Sequence, residues 1–537
     1  MSFPARGSVF LAGAALALSV VAVVMAGRSL ALDNQGDLII RSTTRLVQMS
    51  VVAQDKQGRP VVDLKREDFE LFDNGKRCPI SIFVVEAPGI ASQPQSVPRN
   101  TFTNQFARTA GVRSAHAVIL LDWLNTGWED QARTRQQVIR MLQRIEPNDR
   151  IALYVLDRKL KVISEFGGDT AALLEKLAAL RADPVNWGQV EATGTDDASV
   201  STLDGAIFPG RIGGRHHAPE SDSPKEEQTF LLDQRVRETL RAFEEIAAHL
   251  ASVPGRKTLI WVSAGFPLNV RWSGADGAAP HERDYTAEVR RIIQKLNNAD
   301  VAVYPIDSRG LTASPTGYDS IWTMDRIASR TGGLAWYERN DLDVGMRTAL
   351  DDIRFTYTIG FYPPADATHT FHKVRLQVRR HDVMLRYREG YYLDRPGEPY
   401  PQNKETEVTQ ALLSPVDSTA IPITIAATRK RDAVTLRLSV DAGGLDFVRE
   451  NDRWHAKLEL GVRFAAPDGN QVGSLVSQTA EFNMRPQAYE DALRNGLVLE
   501  IPLQILPNAT VLKQWVRDVS SGKIGTLSIP LKMVTED

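Results

Sequence analysis

The sequence predicts a multi-domain chain built around an α/β doubly wound sheet. That sheet is inserted in or flanked by an N-terminal β-sandwich module and followed by a C-terminal β-sandwich. Three observations carry the prediction. Between residues 116 and 354, short apolar runs alternate with stretches whose apolar residues recur at helical spacing, the pattern of β-α units around a parallel sheet. Before and after that region, short strand-like runs are separated by Asp/Asn/Gly turns, the rhythm of antiparallel sandwiches. Finally, the stretch 116–126 (HAVILLDWLNT) ends an apolar run on Asp122 and follows it at once with Asn125 and Thr126. In open α/β sheets, ligands collect at the carboxyl ends of such strands.

Composition sets the outer bounds. A chain of 537 residues is too long for one core, and 43% hydrophobic with 24% charged residues is ordinary for globular domains. The net charge of −2 comes without a concentrated basic patch, so nothing points to nucleic acid. Residues 1–31 read as a secretory signal peptide: Arg6, an apolar run over 9–26, then Ser29 and Ala31. Export to the periplasm or beyond follows. That run is also at the lower edge of what spans a bilayer, so an uncleaved anchor, with the membrane as a partner, is the alternative. Cys78 is the sole cysteine, which excludes an intramolecular disulfide and reads as a small buried hydrophobe.

Taken in order, residues 46–53, 68–72 and 80–85 have strand composition, and Asp73-Asn74-Gly75 marks a hairpin turn. Residues 86–111 read as a linker. In the α/β region, 112–354, strands are expected at 117–121, 151–156, 258–262 and 301–306, with 161–166 pairing with or following the second and a short one at 334–337. Helices are expected at 134–145, 171–180, 238–250, 285–296, 324–329 and 342–353, and 181–227 is a long polar loop. After Phe355 the antiparallel rhythm returns, and residues 355–392 are expected to join residues 40–90 in one sandwich. Residues 393–419 read as a linker and 420–537 as a separate sandwich, where Val434, Leu436, Leu438 and Val440 alternate strictly.

Several strings then fall into a recognisable order: AQDKQGRPVVDLKREDFELFDNG, HAVILLDWLNT, GRKTLIWVSAGFP, VAVYPIDSRGL, IASRTGG, FHKVRLQVRR and YREGYY. The α/β segment resembles a von Willebrand factor type A domain. The run from Leu46 to about Tyr392 resembles the VWFA-related proteins frequent in acidobacteria. That resemblance implies a divalent-metal site built on a D-x-S-x-S motif, completed by a threonine and an aspartate from later loops. Asp122 matches the first motif position and Thr126 the last, while Leu124 stands in place of the middle serine. Ser263-Ala264-Gly265 stands where the family has Thr-Asp-Gly, and the loop threonine is one of Thr193, Thr195 or Thr229. The implied site is therefore a degenerate metal-ion-dependent adhesion site of Asp122, Asn125, Thr126 and Ser263, holding Mg²⁺ or Ca²⁺ weakly or not at all. The plain alternative is that Asp122 and Thr126 cap the following turn and helix.

Other candidates stand beside it. His216, His217, Glu220 and Asp222 offer transition-metal ligands on the polar loop. Asp157 and Asp307 follow strand ends and can line the same cleft, or simply cap turns. Trp123 and Trp128 form either an exposed aromatic rim or core. Asn508-Ala509-Thr510 matches a glycosylation sequon by pattern. No nucleophile elbow, phosphate loop, HExxH or Cys-x-x-Cys occurs. The expected function is that of an exported binding protein engaging a protein or peptide. A metal-assisted hydrolase using the Asp122 cleft and a structural envelope protein with a vestigial site are the alternatives.

Overall fold

The computed structural model describes residues 46–86, 98–105, 116–145, 149–167, 170–180, 223–272, 281–311, 318–363, 371–392, 404–467 and 469–536. The signal-like segment, Thr193, Thr195, His216, His217, Glu220 and Asp222 lie outside the described residues, as does the side chain of Thr229.

The chain opens with β1 (Val47–Gln54), β2 (Phe69–Asp73), β3 (Lys76–Cys78) and β4 (Ile82–Glu86). Asn74 and Gly75 both take positive φ, 46° and 83°, which is the turn geometry that lets Asp73 pair with Lys76 across the β2–β3 hairpin. Next comes β5 (Thr101–Thr103), inside the stretch read as a linker. That stretch is more than a linker: Thr101–Thr103 pairs with a strand more than three hundred residues downstream, described below.

The α/β layer begins at β6 (His116–Asp122), followed by β7 (Arg150–Leu156), β8 (Leu160–Gly167), β9 (Lys257–Ser263), the hairpin β10 (Asn269–Trp272) and β11 (His281–Asp284), and β12 (Val301–Asp307). The sheet order is β12-β9-β6-β7-β8. The first four strands are parallel and β8 is an antiparallel edge. Every residue of β6 is buried, because helices cover both faces. Helices Ser223–Leu250, Thr286–Asn298 and Tyr318–Thr331 pack on the Val118/Leu120/Trp261 face. Helices Trp128–Leu142, Thr170–Ala179 and Leu342–Arg354 pack on the Ile119/Leu121/Ile260 face.

Three helices start earlier than their apolar spacing suggests, one of them at Tyr318 rather than Met324. A second begins at Trp128 rather than Thr134. The third begins at Ser223, within the stretch read as loop, and Val236 extends the buried stripe of Leu240, Phe243, Ile246 and Leu250 back into that charged run. The short strand expected at 334–337 is a single bridge, Ile306 to Trp336. Gly332 takes φ +82°, and a side chain on Gly333 would collide with the Val303 carbonyl at 1.9 Å, so this Gly-Gly pair ends a helix against β12.

Beyond the α/β layer come β13 (Thr356–Phe361), β14 (Phe371–Val378), β15 (Met384–Arg386) and β16 (Gly390–Tyr392). They interleave with the first four strands as β15-β1-β13-β4 and β16-β14-β2-β3. Their shared core holds Val51, Leu71, Tyr357, Ile359 and Phe361, and Cys78 is buried in it. The α/β layer is thus inserted between strands of one sandwich.

The second stretch read as a linker contains a helix, Lys404–Leu413. Residues 414–419 then bond to two neighbours: the Thr419 amide donates to the Ala248 carbonyl at 2.9 Å, and the Ser418 amide donates to Thr526 Oγ1 at 2.8 Å. The C-terminal sandwich comprises β17 (Ile423–Lys430), β18 (Ala433–Val440), β19 (Val448–Glu450), β20 (Arg453–Ala465), β21 (Gln471–Met484), β22 (Leu497–Gln504), β23 (Val511–Asp518) and β24 (Ile524–Pro530). Its sheets are β22-β18-β17-β5 and β19-β20-β23-β24, with β21 on the other side of β20. A helix not anticipated from sequence, Pro486–Asn495, joins β21 to β22.

Candidate functional site

Asp122 ends β6 at the carboxyl edge of the sheet, on the face covered by helix Ser223–Leu250. Its carboxylate is fully buried and accepts four hydrogen bonds. Oδ1 takes the Asn125 backbone N–H at 3.1 Å. Oδ2 takes Asn125 Nδ2 at 2.8 Å, Ser263 Oγ at 2.8 Å and Trp261 Nε1 at 3.0 Å. The network continues outward. Asn125 Nδ2 also donates to Thr239 Oγ1 at 2.7 Å, Thr239 donates to the Arg235 carbonyl at 2.9 Å, and Ser263 Oγ accepts the Gly265 amide at 2.8 Å.

Burial pushes the Asp122 carboxyl above its usual range, and the bonds from Asn125, Ser263 and Trp261 pull it part of the way back. The guanidinium of Arg235 lies within electrostatic reach: burial lowers its pKa and the Asp122 charge raises it. Asp122 is therefore solvated by the protein's own donors.

The four residues expected to ligate a metal lie around a carboxylate that the protein's own donors engage. Asn125 turns its N–H groups, which cannot bind a cation, toward Asp122. Ser263 spends its proton on Asp122. Thr126 Oγ1 faces Ser308 Oγ at 3.4 Å. Divalent ions need several converging acceptor oxygens; here three donors crowd Oδ2, Oδ1 accepts a fourth, and Asp122 is the one carboxylate of the set, so these residues as arranged fit such an ion poorly. The capping alternative holds for half of its claim. Asp122 caps the turn at Asn125, whereas the helix that follows has Gly127 at its N-cap with no side-chain bond. Among the described residues, no three His, Cys, Asp or Glu side chains are grouped to hold a metal.

The remaining candidates separate. Asp307 is held by Arg309 through Nε at 2.9 Å, and Asp157 is engaged by Lys161 and by the backbone amides of its own turn. Neither carboxylate bonds to the Asp122 network. Trp123 is buried against the α/β core, but Trp128 is 52% exposed at the start of its helix. Asn508 is exposed in a turn at φ 65°.

Trp261, Thr239 and Arg235 escape the sequence reading. Trp261 carries a usable signal. It lies two residues before Ser263 and so shares its face of β9, and a buried indole N–H seeks an acceptor. Nothing local marks Thr239 or Arg235, which lie on a helix over a hundred residues from Asp122.

No family model matches this chain, and no curated protein matches it. Solved structures similar to parts of it include an aerotolerance-related membrane protein from Bacteroides fragilis, at 12% identity over 44% of this chain and 98% of that one, with a TM-score of 0.25. BatB from Bacteroides thetaiotaomicron is 11% identical over 44% of this chain and 96% of that one, with a TM-score of 0.23. Proximal thread matrix protein 1 of the mussel byssus, solved with zinc in its MIDAS motif, is 13% identical over 45% of this chain and 48% of that one, with a TM-score of 0.25. Similarity at that level says nothing of what this chain binds.

Proposed function

We propose that this is an exported binding protein whose type A-like α/β domain engages a protein or peptide at the carboxyl-end face of its sheet, without a metal ion at Asp122. One contrast supports the reading. Just past the carboxyl ends of β6 and β12, the polar centre is sealed while large apolar side chains are left in solvent. Trp128 is 52% exposed, Leu311 67% and Trp322 55%, whereas Asp122 and Trp123 are buried. Exposed aromatic residues beside a ligand-collecting edge are the anchors protein partners use. Export rests on the signal-like residues 1–31. Binding rather than catalysis is the proposed role because exposed apolar side chains suit a partner surface, while the Asp122 carboxylate is buried and already engaged by four donors.

The test is affinity capture from the producing organism's exported proteins, using the full chain in Mg²⁺ and in EDTA, with Trp128→Ala and Asp122→Asn beside the wild type. A partner retained in EDTA and by folded Asp122→Asn, but lost with Trp128→Ala, is the expected result. Retention that needs the divalent ion and ends with Asp122→Asn would overturn the reading.

A further inference from the structure

Among the described residues, the edges of the C-terminal sandwich are protected in all places but one. An exposed strand edge offers unpaired N–H and C=O groups to any extended chain, and folded proteins blunt such edges with short strands, proline, charge or a cover. Here β5 and β19 are three residues each. Edge strand β22 carries Glu500 and Pro502. Edge strand β24 ends on Pro530, and its Ile524 packs under Val408 and Leu412 of helix Lys404–Leu413.

The exception is β21, fourteen residues long. It pairs with β20 along one edge, and among the described residues nothing pairs with the other. From Gln471 to Ala480 it has neither proline nor charge. Residues 473–479 are exposed on both faces of the strand, with Leu475 at 40% and Val476 at 49%. An irregularity in the ladder falls between Val472 and Val476, which leaves Val476–Met484 in regular register with β20. The first charge, Glu481, is neutralised across the ladder by Lys457 at 2.7 Å.

We propose that β21 is a dimerisation edge, pairing antiparallel with β21 of a second copy of this chain about a two-fold axis. An antiparallel edge is self-complementary in its hydrogen bonds, and a two-fold contact closes at two copies. Charge favours this occupant. Glu481 meets its own symmetry mate only in the register centred on residue 481; every register centred between Val476 and Ala480 opposes neutral residues. Ser477 and Thr479, on the strand's outward face, are short and uncharged. They give a foreign peptide little to read, whereas a second copy needs only matching backbone. The two sheets would then run on as one across the interface.

The experiment is sedimentation of the full chain over a dilution series, with Ser477→Lys/Thr479→Lys and two single-cysteine probes. The expected result is a wild-type dimer, weakened at least about tenfold by the paired lysines because like charges meet across the axis, with thermal unfolding unchanged. Under mild oxidation, Ser477→Cys should cross-link between copies about tenfold faster or more than Val62→Cys, a control in the N-terminal sandwich. The native Cys78 is buried and does not compete. If the lysine variant misfolds, the cross-linking rates decide. A wild type that is monomeric at every concentration, a larger open assembly, or equal cross-linking by the two probes would overturn the proposal.

Discussion

At its two ends, the five-stranded sheet buries a carboxylate with no solvent exposure, Asp122 at the carboxyl end and Asp352 toward the amino end. Asp122 is met by uncharged donors from its own layer: an amide, a hydroxyl, an indole and a backbone N–H. Asp352 is met by the guanidinium of Arg386, by Tyr304 Oη at 2.6 Å and by Gln54 Nε2 at 2.8 Å, so two of its three partners belong to the N-terminal sandwich. Beside it, Arg256 is buried and donates to the Ser50, Gly332 and Tyr304 oxygens at 3.3, 2.5 and 3.2 Å. Burial and the Asp352 charge push the Tyr304 phenol up to about 12. One carboxylate holds strand ends in place within a layer; the other ties two layers together with full charge. A buried charge matched by charge is costly to break, whereas one matched by neutral donors loses less when neutralised.

That difference sets the order of expected effects. Asp352→Ala strands Arg386, Tyr304 and Gln54 in the layer interface and should lower unfolding stability by about 3–5 kcal/mol in urea titration. If it is milder than the equivalent change at Asp122, the comparison fails. Lys257, at the same end, is lowered by burial to about 8. The unfolded chain then holds that proton more tightly, so stability should rise by about 3 kcal/mol between pH 8 and 10.5. In Lys257→Met that rise should vanish from the pH series of denaturant midpoints. Asp122→Asn keeps the shape but misdirects an amide toward donors, a loss of about 1–3 kcal/mol, equal in Mg²⁺ and in EDTA. Native Asp122 keeps its proton to higher pH than the unfolded chain, so its contribution declines as pH rises from 3.8 through the raised native value. Asn should remove that decline. Trp128→Ala, exposed and outside both networks, should change stability by less than about 0.5 kcal/mol while abolishing partner capture.

The α/β layer is legible because its strands are buried on both faces, and a run as short and as apolar as AVILL fits little besides a central strand. The split N-terminal sandwich is legible as two antiparallel patches. The strand β5 is not: three residues, Thr-Phe-Thr, carry no period, and their partner Thr424–Ala426 is far away in sequence. The helix Lys404–Leu413 hides in a Pro/Gln/Glu-rich stretch because, among its described residues, it buries only Val408 and Leu412. At the candidate site, position is readable and chemistry is half readable. Leu124 and Ala264 announce missing ligands. That Trp261 and Asn125 fill the gap with N–H donors depends on side-chain direction across two strands and a turn, which spacing in one strand does not encode.

The protein's own donors, three on Oδ2 and one on Oδ1, satisfy Asp122 in place of a metal ion. Calorimetric titration of the full chain with Mn²⁺, repeated with Mg²⁺ and Ca²⁺ and with Asp122→Ala, tests it directly. No saturable heat with any of the three ions, and identical traces for wild type and variant, is the predicted result. One-to-one binding by the wild type that Asp122→Ala abolishes would contradict it.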